Sequence, residues 1–223
     1  SSAAVSTGQT FTLTAGMDFG SSFVGGSTND VFNASPSNNG SGVFNVETLT
    51  NVDVLDGGDG ADVLNYTTVG GTALPAAQIS NIETINMVSD GAATLSTNVT
   101  DITGVTTLNV RAITDVDIDT NGDVTSVTVT GSAEEIDITD NAATDVITTV
   151  SFIGSGDTAG NNTKAVTSTA LTSLTLSDIN GTANDDDADD ITSDAAGAIT
   201  INLEKVSIGI ADLLVSDATS AVI

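Results

Sequence analysis

The sequence predicts an all-β protein wound as a parallel β-solenoid, a β-roll or β-helix, and three observations carry that expectation. Short runs of Val, Ile and Thr alternate with polar residues, the period-2 pattern of strands, and Gly, Asn, Asp and Ser punctuate them as turns. The runs resemble one another and recur, with similar strands starting near 82, 105, 124, 147, 171 and 199. That spacing of roughly 19–28 residues is near the range in which sequence repeats mean stacked coils. Third, Gly57–Asn65 reads Gly-Gly-Asp-Gly-Ala-Asp-Val-Leu-Asn, the nine-residue pattern G-G-x-G-x-D-x-U-x with U large and apolar, itself a solenoid unit. An immunoglobulin-like sandwich also uses short alternating strands and is the competing fold. Eight to ten coils at about 4.8 Å would make a rod of roughly 40–50 Å.

Two parts are expected, residues 1–70 with calcium-binding repeat coils and residues 71–223 with longer, glycine-poor β-solenoid coils continuous with the first. Gly70-Gly71 and Leu74-Pro75 mark the join. In the first part, Asp53-Val-Leu-Asp56 keeps the register of the following repeat, with Asp53 and Asp62 nine residues apart. Glycines let the backbone turn through conformations that other residues resist. Carbonyl oxygens and carboxylates then point into the turn, and calcium takes six to eight such oxygens. The expected ligands are the carboxylates of Asp53, Asp62, Asp56 and Asp59, with backbone carbonyls of Gly57, Gly58 and Gly60. Gly25-Gly26-Ser-Thr-Asn-Asp30-Val-Phe32 is a degraded copy, with Thr28 in place of the third glycine and Asp30 in place. It either holds a second calcium or keeps the turn's shape without the ion. Asp18 lies nearby, three residues out of register.

The second part contains the clearest strands: Val105–Val110, Val116–Asp119, Val124–Val129, Ile136–Thr139, Leu171–Leu176 and Ile199–Leu203. Their many Thr residues read as strand formers and not as an ice-binding array, because they repeat with no fixed coil length.

Composition excludes several functions. Thirty Asp and Glu face three cations, Arg111, Lys164 and Lys205, for a net charge of -27. A compact chain so charged repels itself, and bound cations relieve that. Nucleic acid, which needs a basic footprint, is excluded as a partner. No apolar run reaches the ~18 residues of a membrane helix, so no membrane insertion is expected. There is no Cys, His or Trp, which removes thiol chemistry and the commonest general base. Glu134-Glu135 therefore does not read as a catalytic pair, and the chain reads as non-enzymatic. Asp185–Asp190 reads as a solvated loop, with a calcium site or intermolecular bridge as the alternative. Asp115, Asp117 and Asp119 share one strand face and repel unless solvated or bridged by metal. The chain starts at Ser1 and not Met, and reads as a fragment or processed product.

Phe11–Ala34, Asn51–Asn65 and Ser80–Asn86, taken in that order, resemble the secreted RTX-type S-layer and large surface proteins of Gram-negative bacteria. The resemblance covers roughly the first 90 residues. It implies type I secretion, folding in extracellular calcium at the bacterial cell surface, and self-association into a lattice or filament. It also implies anchoring to lipopolysaccharide or a cell-surface glycan through other segments. The stretch Val215–Ile223 does not read as an export signal, so the expected role is one structural segment of a longer protein. A calcium-dependent adhesin or biofilm-matrix repeat module, or the non-catalytic part of an RTX enzyme, are the alternatives. No H-E-x-x-H or G-x-S-x-G element is present.

Overall fold

Parallel, in-register pairing organises the chain. The structure, a computed structural model, describes residues 7–70, 73–90, 93–96, 102–120, 122–131, 135–155, 164–179, 191–206, 213–215 and 218–222. Its strands are β1 (Thr10–Thr12), β2 (Val31–Ala34), β3 (Ser37–Asn38), β4 (Phe44–Val46), β5 (Val54–Asp56), β6 (Val63–Thr67), β7 (Gln78–Ser80), β8 (Thr84–Val88), β9 (Ala93–Ser96) and β10 (Thr107–Arg111). They continue as β11 (Val116–Thr120), β12 (Ser126–Thr130), β13 (Ile136–Asp140), β14 (Thr149–Ile153), β15 (Lys164–Thr167), β16 (Ser173–Ser177), β17 (Ile191–Ser193), β18 (Ala198–Glu204), β19 (Leu213–Val215) and β20 (Ser220–Val222). A single 3-10 turn, Gly20–Phe23, is the only helical segment among the described residues.

One sheet has ten strands in the order β1-β2-β6-β8-β10-β12-β14-β16-β18-β20. A second has six, β9-β11-β13-β15-β17-β19 read in chain order. A short ribbon pairs β5 with β7, and the bridges Val24–Asp56 and Ile79–Ile102 extend it. All these pairings are parallel, so the protein is a β-solenoid and not the antiparallel sandwich. Nine spacings of about 4.8 Å make the long sheet about 43 Å from edge to edge. In this sheet β6 pairs with β8 from Val63–Thr84 to Thr67–Val88.

The strands form where the alternation lies. In β8, β10, β12, β14 and β16 the second and fourth residues are buried. Stacking then builds columns of like residues: Ile85, Leu108, Val127, Val150, Leu174 and Ile201 in one, and Met87, Val110, Val129, Phe152 and Leu176 in the next. Ile82, Val105, Val124, Ile147 and Leu171, which open the runs seen in the sequence, precede their strands by two residues. They are buried corner residues. Side chains bonded to the next coil are 19 to 27 residues apart along most of the solenoid. Between Asn33 and Asn65 the offset is 32, because that coil carries the antiparallel hairpin β3–β4.

Polar columns follow the same rule outside. Asn33, Asn65, Asn86 and Asn109 form a ladder on the long sheet. The Asn65, Asn86 and Asn109 amides each donate to the preceding Asn at 3.0, 2.8 and 2.8 Å. Thr128, Ser151, Thr175 and Asn202 continue the column.

Phe152 is fully buried between Val129 and Leu176. Phe152→Ala is expected to lower unfolding free energy by about 3–5 kcal/mol, read by urea denaturation. Exposed Thr125→Ala, whose hydroxyl makes a 3.4 Å contact with the Thr106 carbonyl, is expected to cost under about 1.5 kcal/mol.

Candidate metal centre

The two glycine turns that the sequence separates are stacked directly on each other. Gly25 N donates to Asp56 O at 2.7 Å, Gly57 N to Ser80 O at 3.0 Å, and Asp59 N to Gly26 O at 2.9 Å. Asn29 Oδ1 accepts from Ala61 N at 3.1 Å. Gly57 is required by close approach, since a Cβ there would collide with the Asn81 carbonyl oxygen and lie 2.6 Å from Asp62 Oδ2. Gly58 is required by its backbone, with φ at +85° and the Gly26 carbonyl against its open side. In the third coil the residue stacked on Gly57 is Asn81, with φ 52°.

Carboxylates line the start of the long-sheet strands. Asp30 and Asp62 are each 0% exposed. Asp30 accepts Gln9 N at 2.5 Å and Gly26 N at 2.6 Å. Asp30 N donates to Asp62 Oδ1 at 2.6 Å, and Asp62 N donates to Glu83 Oε2 at 2.7 Å. Each coil's acid thus receives the backbone of the coil before it. Asp62 Oδ2 is buried and accepts no hydrogen bond among the described residues. Burial pushes the Asp62 carboxyl above its ordinary value of 3.8. The Asp30 N–H opposes that, and the charges of Glu83, Asp30 and Asp56 add to it. Arg111, Lys164 and Lys205 lie on later coils, so no cation of the chain shares this column. Beyond Glu83 the same position becomes a threonine ladder, in which Thr106, Thr125, Thr148 and Thr172 each donate a hydroxyl to the preceding coil's carbonyl at 3.2 to 3.4 Å.

The expected ligands divide. Asp30 and Asp62 are linked through the Asp30 N–H, Glu83, which the sequence did not single out, is linked to Asp62 in the same way, and Asp56 is near enough for its charge to act on Asp62. Asp56 Oδ1 accepts Gly58 N at 3.1 Å and Asn81 Nδ2 at 2.8 Å. The Asp59 side chain is exposed on the turn. Asp53 stands at the start of β5, apart from Asp62 at the start of β6, and is buried with Asp18. Asp53 Oδ1 accepts Asp18 N at 2.9 Å and its Oδ2 accepts Thr50 N at 2.7 Å, while Asp18 accepts Thr14 N and its hydroxyl.

On the six-stranded sheet, Asp117 and Asp119 point outward, and Asp117 is in register with Asp137. Burial, then Asp119, Asp137 and Glu135, raise the Asp117 pKa. Asp185–Asp190 and Glu134 lie outside the described residues.

A groove of about 610 Å³ lies where the β3–β4 hairpin meets the ends of the long-sheet strands, lined by Pro36, Phe44, Val88, Asp90, Arg111 and Ile113 among others.

Among the described residues no three acidic side chains converge into a carboxylate cage. The turn offers a mixed set instead: the orphan Asp62 oxygen, the other carboxylates, and glycine-turn carbonyls packed where side chains would be. Hard oxygen donors of this kind fit calcium. No protein-family model matches the chain, and no match was found among curated proteins.

Gly57→Ala is expected to destabilise strongly, because backbone occupies the Cβ position. Gly197→Ala, with open space there and no left-handed φ, is expected to be neutral or slightly stabilising. Thermal melts of both variants check this. Acidity provides a second test. Folding raises the Asp62 pKa, so the folded chain holds that proton more tightly than the unfolded one. Without calcium, stability is therefore expected to fall as pH rises from 3.8 through the folded value. Asp62→Asn should show a shallower decline in urea midpoints over that range.

Proposed function

We propose that this chain is a non-catalytic structural segment of an extracellular bacterial surface protein, wound by calcium and self-assembling into a lattice or filament. The observation that carries the reading is the column of buried Asp30 and Asp62 joined to half-buried Glu83, with its orphan oxygen and no cation, in a chain of net charge -27. Burying like charges one coil apart is costly unless a cation or proton neutralises them. Bound calcium supplies the positive charge that the column lacks. Asp62, Asp30, Glu83 and Asp56 would hold it, with Asp53 and Asp18 capping the neighbouring corner. In calcium-poor cytosol the carboxylates repel and keep the chain expanded for type I export. Outside, the same residues accept the ion and the coils wind, so binding energy becomes folding energy. The glycine turns and the secreted-protein resemblance support the same reading.

A calcium-dependent adhesin module is the second reading. The groove beside Phe44, Arg111 and Ile113 favours it, as a concave site of ligand size.

Calcium titrated into chelated protein is expected to raise the far-UV strand signal reversibly. At about 100 times the dissociation constant it should stabilise the fold by about 2.7 kcal/mol. Asp30→Asn with Asp62→Asn should remove most of that gain, and exposed Asp59→Asn should keep it. A strand signal and melting temperature unmoved by calcium or chelator would overturn the calcium reading.

A further inference from the structure

We infer that copies of this chain pack through the outer face of the ten-stranded sheet, and not through its acidic faces. The inference rests on the self-assembly reading and names the surface that reading requires. Across β2, β6, β8, β10, β12, β14 and β16, no outward position holds Asp or Glu, and Arg111 is the one charged residue. The outward residues are Thr, Ser, Asn, Val and Ile, mostly half-buried. In a chain with 30 acidic residues, this is a large neutral area. The six-stranded sheet is the opposite: Asp117, Asp119 and Asp137 face outward, with exposed Asp115 and Glu135 beside them.

Charge decides which face can meet its own copy. Two chains of net charge -27 repel at a distance, and an approach through Asp117 and Asp137 adds like charges at contact. From β2 to β16 the long-sheet face brings no carboxylate to be desolvated, and its exposed acid, Glu204, stands beyond them on β18. Its side chains are also ordered beforehand. The Asn65, Asn86 and Asn109 amides are held by the coil before each, so little rotamer freedom is lost on contact. Asn ladders and short, interdigitating side chains make dry sheet-on-sheet contacts.

Area sets the strength. Seven strands about 4.8 Å apart and five residues of about 3.3 Å cover roughly 470 Å², or about 950 Å² from two copies. A stable isolated interface buries about 1,200 Å² or more, so one contact is weak and repetition along an assembly makes it hold.

The test uses the full chain in saturating calcium. Sedimentation equilibrium of the unmodified chain should give a mass that rises with concentration. Thr128→Asp with Ser151→Asp, placed mid-face, should weaken self-association at least about tenfold, with circular dichroism unchanged. Thr139→Asp with Thr167→Asp, on the six-stranded sheet, should associate like the unmodified chain. Should the first variant fail to fold, single cysteines replace it, since the chain has none. Ser151→Cys should lose reactivity toward a thiol reagent on association, and Thr139→Cys should keep it. Association that tolerates charge at 128 and 151, or that buries Thr139→Cys and not Ser151→Cys, would overturn this surface while self-assembly stands. A chain that stays monomeric at every concentration would overturn the surface and the self-assembly reading, leaving the calcium-folding reading to its own titration.

Discussion

In-register parallel stacking, with each coil about 4.8 Å above the last, is the constraint on which everything else depends. It places each residue on its counterpart and multiplies whatever that residue does. An apolar residue repeated six times becomes a core column, as from Ile85 to Ile201. An Asn becomes a ladder that bonds to itself. A Thr at the strand start becomes a rail of hydroxyls on carbonyls. An Asp becomes a stack of like charges. Backbone N–H groups satisfy part of that stack, but they carry no net charge, and Asp62 Oδ2 receives none.

The fold was legible because strand alternation is local. Val124–Val129 announces an inward set at Val127 and Val129 whatever its neighbours are. The strand starts were less legible. Val105, Val124 and Leu171 are apolar because they fill a corner, and corner and strand read alike in sequence. The β3–β4 hairpin was missed, since Ser37 to Gly42 reads as a Ser/Asn/Gly loop. Asn38 and Asn39 side chains in fact hold its tip through Gly40, Ser41 and Gly42.

The site was half legible for the same reason. Glycines at 57, 58 and 60 mark a turn, so Asp62 could be named from its own neighbours. Glu83 could not, because its coil turns on Asn81 and has no glycine there. Asp18 looked out of register by a nine-residue count. The spacing that matters is the length of a coil, and its partner Asp53 is 35 residues away. The stacking of Gly25 on Gly57 depends likewise on a 32-residue coil whose length comes from an inserted hairpin. Contacts between coils are set by coil length, which local pattern does not reveal. The same geometry separates the surfaces: acid gathers at turns and on the six-stranded sheet, while the long sheet from β2 to β16 carries no outward carboxylate.

The central claim is that the carboxylate column closes only when its charge is neutralised. Amide hydrogen exchange at Asp30, whose N–H donates to Asp62 Oδ1 at 2.6 Å, and at Asp62, whose N–H donates to Glu83 Oε2, reads that closure directly. At neutral pH both amides should exchange rapidly in chelator and become protected together as calcium is added. Leu108 and Val127, in the threonine-capped coils, serve as the reference for the rest of the solenoid. Equal protection of Asp30 and Asp62 with and without calcium would contradict the claim, because the column would then be closed by the protein alone.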